Sequence, residues 1–113
     1  MIGQKTLFRN NNLGQLILHS PYRKEPYVVT RGWESYSGWY WFEVEDEANK
    51  ITEDRVFGFV QGFEEEWGYF SRAELNSLPN RIWQIPKENL MFAGRRGMQP
   101  IIYKEKNGDE KNE

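Results

Sequence analysis

The sequence predicts a small α+β domain, an antiparallel sheet of about five strands with one short helix over about 71–78, and three patterns carry that prediction. Residues 39–45 alternate, with Tyr40, Phe42 and Val44 on one side and Trp39, Trp41, Glu43 and Glu45 on the other, the period of a strand. Turn-forming clusters recur at hairpin spacing, at residues 10–14, 21–26, 35–38 and 62–66. Ser71 and Glu74 stand three apart ahead of Leu75 and Leu78, a capping box that opens a helix, which Pro79 and Asn80 end.

Taken in order, the residues before Asn10 form a short arm, set off by three consecutive asparagines and Gly14. Leu13, Leu16, Ile17 and Leu18 fit either a short helix or a buried strand, the stop at Ser20-Pro21 favouring the strand, and the polar stretch between Pro21 and Pro26 is a hairpin loop. Tyr27, Val28, Val29 and Thr30 are strand formers, and Gly32 marks the end of their run. Residues 46–54 are a charged connection. Val56, Phe57, Phe59 and Val60 are apolar on both faces, as in a central strand covered on two sides, and Gly58 between them marks a bulge or a ring packed overhead. Trp67, Gly68, Tyr69 and Phe70 run back as a short strand into the helix, and Ile82, Trp83 and Ile85 offer one more. The expected core is Tyr40, Phe42, Val44, Phe57, Phe59, Val60, Phe70, Leu75 and Leu78.

A chain of 113 residues supports one domain, here residues 1–103, followed by a flexible polar tail, residues 104–113, without an apolar group. Five Trp, six Tyr and seven Phe let a chain of only 38% hydrophobic residues fill a core with few large rings. The absence of cysteine excludes disulfides and thiolate metal sites. No apolar run approaches the roughly 20 residues of a membrane span, and residues 1–18 lack the pattern of a secretory signal, so a soluble, cytoplasmic location without membrane contact is expected. Residues 43–66 carry nine acids against Lys50 and Arg55, while residues 81–106 carry six bases against Glu88 and Glu105. The chain is electrically lopsided although its net charge is only −2.

The segments SGWYWFEVE and FGFVQGFEEEWGYFSRAEL resemble a small family of uncharacterised proteins from bacterial, archaeal and mobile-element genomes. That family carries a Trp-rich strand followed by a motif of the form FGLVxGxExELGYFSLxEL. The match runs from about Trp39 to Leu90 and rests on Gly58, Gly62, Glu64, Glu66, Gly68, Tyr69, Phe70, Ser71, Glu74 and Leu75. Trp67 departs from it, standing where leucine is usual, and residues 94–103 have no counterpart. The resemblance implies a compact α+β domain of phage or plasmid type and brings no activity with it.

No catalytic constellation is legible, so the chain reads as a non-enzyme without cofactor or metal. His19 is the sole histidine and has no nucleophile signature to serve. Glu64, Glu65 and Glu66 read as a solvated turn, lacking the alternating pattern of a calcium loop. No phosphate-binding glycine motif occurs. The sharpest feature is Trp33, Tyr36, Trp39 and Trp41 with Glu43 and Glu45, either a second core layer or an exposed aromatic face with an acidic rim that binds another protein. The resemblance narrows the protein-binding reading to an accessory protein that inhibits a host defence component. The second functional reading stacks single-stranded nucleic acid on the same rings, with Arg31, Arg95 and Arg96 taking the phosphates.

Overall fold

The computed structural model describes residues 5–51 and 54–93, together with the backbone of residues 108, 109, 111 and 112. Seven strands build one antiparallel sheet: β1 (Leu7–Asn10), β2 (Leu16–His19), β3 (Tyr27–Ser35), β4 (Tyr40–Val44), β5 (Arg55–Gln61), β6 (Glu65–Ser71) and β7 (Ile82–Gln84). Strands β1 to β6 lie side by side in chain order, and β7 returns to pair with β3. The one helix of the described residues, α1 (Arg72–Asn76), follows β6 directly, and short 3₁₀ turns occupy Glu47–Lys50 and Lys87–Phe92.

The sheet has more strands than the five expected, and β1 is the clearest correction. The supposed N-terminal arm is a strand paired to β2, and its Phe8 ring lies edge-on to Phe42 at 5.4 Å and to Phe59 at 5.9 Å. Nothing in the short apolar content of Leu7 and Phe8 shows this, because the partner rings lie more than thirty residues away. Strand β3 likewise runs through Gly32 to Ser35. A register shift between Val29 and Arg31 bends it, so that its first residues pair with β2 and its last with β7. Gly32 is small because Leu90 and Ile85 pack over it, an added Cβ lying 2.7 Å from the Leu90 Cδ1. At Gly38, φ of 88° closes the β3–β4 turn in the left-handed region that suits glycine.

The two faces of the sheet bury different sets. Beneath one face Phe8, Leu16, Leu18, Val29, Phe42, Val44, Phe59, Ile85 and Leu90 form the main core, with Trp67 packed against it. Trp67 is the hub of this side: Tyr27, Phe59 and Phe57 lie 4.9, 5.1 and 5.7 Å from its ring. Its indole N–H donates to the Thr6 hydroxyl at 2.8 Å, tying the chain just ahead of β1 to β6 so that the sheet curls over its own core. On the opposite face Trp33, Val56, Phe70 and Leu75 form a smaller core under α1.

Helix α1 is shorter than the residues 71–78 expected. Ser71 caps it, its hydroxyl accepting from the Glu74 N–H at 3.0 Å. Asp54 completes the cap: its carboxylate accepts from the Ala73 N–H at 2.7 Å and from the Ser71 hydroxyl, and its carbonyl accepts from the Arg72 N–H. The helix ends at Asn76, so Leu78 leaves the helical stripe and is 46% exposed instead of buried, while its carbonyl accepts from Arg81 and Ile82. Tyr40, Phe57 and Val60 are half-buried, and Phe42, Val44, Phe59, Phe70 and Leu75 are buried as expected.

The hydrogen bonds from Ala73 and Ser71 hold the Asp54 carboxyl below its ordinary pKa of 3.8. A carboxyl so lowered stabilises the fold fully above its unfolded value and loses that contribution as pH falls through the folded one. Asp54→Asn should therefore lower the urea midpoint by a constant amount from pH 7 to about pH 5. Below about pH 4 the gap to the wild type should close. A gap that persists unchanged at the acid end would show that Asp54 does not cap through its charge.

The polar tail lies almost wholly outside the described residues, where only Gly108–Asp109 and Lys111–Asn112 are seen, as short extended pieces.

Candidate functional site

Residues paired across a sheet point to the same face, so the strand register assigns each candidate side chain to a side. One row of that register runs Trp41–Val60–Glu66 across β4, β5 and β6, and the next runs Glu43–Gly58–Gly68. Trp33 of β3 pairs with Trp41, and Arg31 with Glu43, so these four predicted residues of β3 and β4 bear on one face, while Tyr36, Trp39 and Glu45 lie just outside the two strands. The expected alternation is therefore realised over residues 40–44, and Glu45 lies past the end of the strand. What lies on top of that face differs along its length.

At one end α1 covers it. Trp33 is 0% exposed, packs edge-on to Phe70 at 5.9 Å, and donates its indole N–H to the Asn76 carboxamide at 2.9 Å. It is a core residue and no part of an exposed surface. Glu43, predicted for an acidic rim, is 4% exposed. Arg72, the first residue of α1, grips it with Nε on Oε1 at 3.0 Å and with its Nη2 on the second oxygen. Arg31 adds a looser contact at 3.7 Å. A bidentate guanidinium is the geometry that makes a buried carboxylate tolerable, and removing one partner of such a pair costs about 3–5 kcal/mol where both are buried. Glu43 thus fastens α1 to the sheet, and Arg31 is engaged on the same carboxylate instead of waiting for a phosphate.

Beyond the reach of α1 the face is partly exposed among the described residues. Trp39 and Trp41 are half-buried, with ring centroids 5.9 Å apart and planes tilted by 31°. Trp41 rests against the small core under α1. Trp39 lies over Gly62, where an added Cβ would stand 2.5 Å from its ring. At the tip of the β5–β6 hairpin Phe63 is 94% exposed and meets the Trp39 edge at 5.4 Å. Trp39, Trp41, Val60 and Phe63 form an aromatic shelf, bordered by Glu66 from the same row as Trp41. Glu65 points to the other face, where it accepts from Gln61 at 3.4 Å.

Of the predicted site residues the structure brings together Arg31 with Glu43 beside Arg72, and Trp39 with Trp41 on the shelf. Tyr36 is exposed on the β3–β4 turn and, among the described residues, makes no ring contact with them. Glu45 sits at the far end of β4, in a polar hollow shared with Arg23, Val28, Asp46 and Lys50. Arg95 and Arg96 lie outside the described residues. Phe63 and Val60 were missed as site residues. The available signal for Phe63 was a large apolar ring set between Gly62 and three glutamates in a turn, where polar residues are the rule.

His19 stands at the end of β2 beside Arg9, whose Nη1 is 3.5 Å from its Nε2. Burial, and then the Arg9 charge, push its pKa below the ordinary 6.5, so it is neutral at pH 7. Among the described residues no three His, Asp or Glu side chains gather as a metal site would need. No helix of the described residues is long and apolar enough to cross a membrane. Several residues that carried the family resemblance have structural duties here: Gly62 seats Trp39, Ser71 caps α1, and Phe70 and Leu75 fill the core beneath it. No family model, no curated protein and no solved structure matches this chain.

Proposed function

We propose that this chain is a protein-binding module that holds its partner on the shelf of Trp39, Trp41, Val60 and Phe63. Phe63 is the observation that carries the reading. A phenylalanine almost wholly in water at a hairpin tip gives up the roughly 1.5–3 kcal/mol that burial would return, and the fold draws only an edge contact with Trp39 from it. Rings held out in this way on a rigid sheet serve as interface anchors, because they cover area with little rotamer entropy to lose. The neighbouring acids favour a protein over a nucleic acid, whose phosphates Glu66 would repel.

Phe63→Ala should leave the melting midpoint within the scatter of surface changes, about 0.5 kcal/mol, while weakening the partner by about 2 kcal/mol. A photo-crosslinking residue at position 63 should trap a host protein. The same residue at Tyr22, also well exposed, in the β2–β3 loop, should not. Identical labelling from both positions, or a Phe63→Ala chain that binds the trapped protein unchanged, would end this reading.

A further inference from the structure

We infer that the group taken up on the shelf is cationic, a lysine or arginine of a basic segment on the partner protein; this rests on the shelf being the docking surface. The two indoles are partly exposed and lie side by side, and the negative face of an indole is the best aromatic seat for an ammonium or guanidinium. Val60 lies between Trp41 and Glu66 in one row, an apolar floor on which the methylene stem of such a side chain would lie. Glu66 then stands at the end of the row, two strand spacings from Trp41, or about 10 Å, to meet the charge.

The charge on this face is not neutralised from within. Arg72 and Arg31, the cations of the same face, are both turned to Glu43. Among the described residues neither Glu64 nor Glu66 stands in an ion pair. Aromatic faces beside uncompensated carboxylates complement a cation, and they penalise an acidic or phosphorylated partner. Only one of the two neighbouring glutamates of β6 serves, since alternation sends Glu65 to the opposite face and onto Gln61.

The test titrates the full chain with three soluble peptides of one length, a Gly-Ser-Arg repeat, the same repeat with citrulline for arginine, and a Gly-Ser-Leu repeat, while following the five indole N–H signals by NMR. The arginine peptide should move the Trp39 and Trp41 signals and leave that of Trp33 in place. Citrulline should weaken binding about fivefold, and Glu66→Gln by a similar factor, as loss of a single cation contact would. Glu66 is exposed, so the variant keeps the fold, and its unchanged Trp33 signal checks this. Equal affinity for arginine and citrulline peptides, or an unaltered titration of Glu66→Gln, overturns the inference. If the leucine peptide moves Trp39 and Trp41 while the arginine peptide does not, the cationic specificity falls and the docking surface stands. If no peptide moves them, the inference falls, and the crosslink from position 63 decides separately whether the surface itself survives.

Discussion

Gly58→Ala should cost more than about 4 kcal/mol, most of the stability of a domain whose total lies near the low end of 5–15 kcal/mol. The methyl group has nowhere to go. It would overlap the Phe42 carbonyl oxygen and lie 2.9 Å from the carbonyl carbon and 3.1 Å from the Glu43 Cα. These are backbone atoms of β4, so no rotamer change relieves the clash, and only separation of two central strands would. Such separation would also disturb Phe42 and Glu43, one at the centre of the main core and the other the anchor of α1. The control is its cross-strand partner Gly68, where an added Cβ meets nothing within 4 Å, and Gly68→Ala should stay within about 0.5 kcal/mol. Paired urea melts decide. A Gly58→Ala chain with wild-type near-ultraviolet circular dichroism and a midpoint shifted by under about 1 kcal/mol would refute the close approach.

Trp33→Ala should cost about 3–5 kcal/mol, the usual loss for emptying a buried ring site. Trp33 is the largest side chain with no exposed surface, and it is the floor on which α1 rests through Phe70 and Leu75. A five-residue helix cannot close over the resulting cavity, because its position is already set by the Glu43–Arg72 pair and the Asp54 cap. The hydrogen bond to Asn76 adds little to the loss, since Asn76 is exposed and water replaces the partner. Thermal melts of Trp33→Ala and Phe63→Ala side by side should therefore separate two rings that share a sheet: a large drop for the first and almost none for the second. Comparable midpoints would mean that the division of this face into a covered half and an open half is wrong.

That division explains which parts of the molecule the sequence discloses. Alternation places Phe42 and Val44 opposite Trp41 and Glu43, because the side-chain period of a strand is a local property of the backbone. It is silent on what covers either face. Whether Trp33 and Glu43 are buried while Trp39 stays partly exposed depends on where α1 lies, and its first turn is held by Asp54, seventeen residues before Ser71 and outside any local capping pattern. Phe8 escapes a local reading for the same reason: its burial is created by the curl that Trp67 and Thr6 secure across the molecule. At Gly58 the pattern suggests a bulge or room for a ring, whereas the register runs through it unbroken and the intruding group is a carbonyl of the neighbouring strand. The bond from the Glu74 N–H to the Ser71 hydroxyl and the turn at residues 35–38 are legible, since each is made by groups within four residues.

The order of the strands has a kinetic consequence. Because β1 to β6 pair each with its successor, every ladder but one joins neighbours in sequence, and each loop that must close is short. A chain of this connectivity zips along its length, with low contact order for an all but wholly β core and a folding rate nearer that of mixed domains than of sandwiches. The exception is β7, which must find β3 across the whole span of β4, β5, β6 and α1. That single long closure can be completed only after the hairpins before it exist, so the docking of β7, and with it the sealing of Ile85 and Leu90 over Gly32, belongs to the late side of the folding barrier.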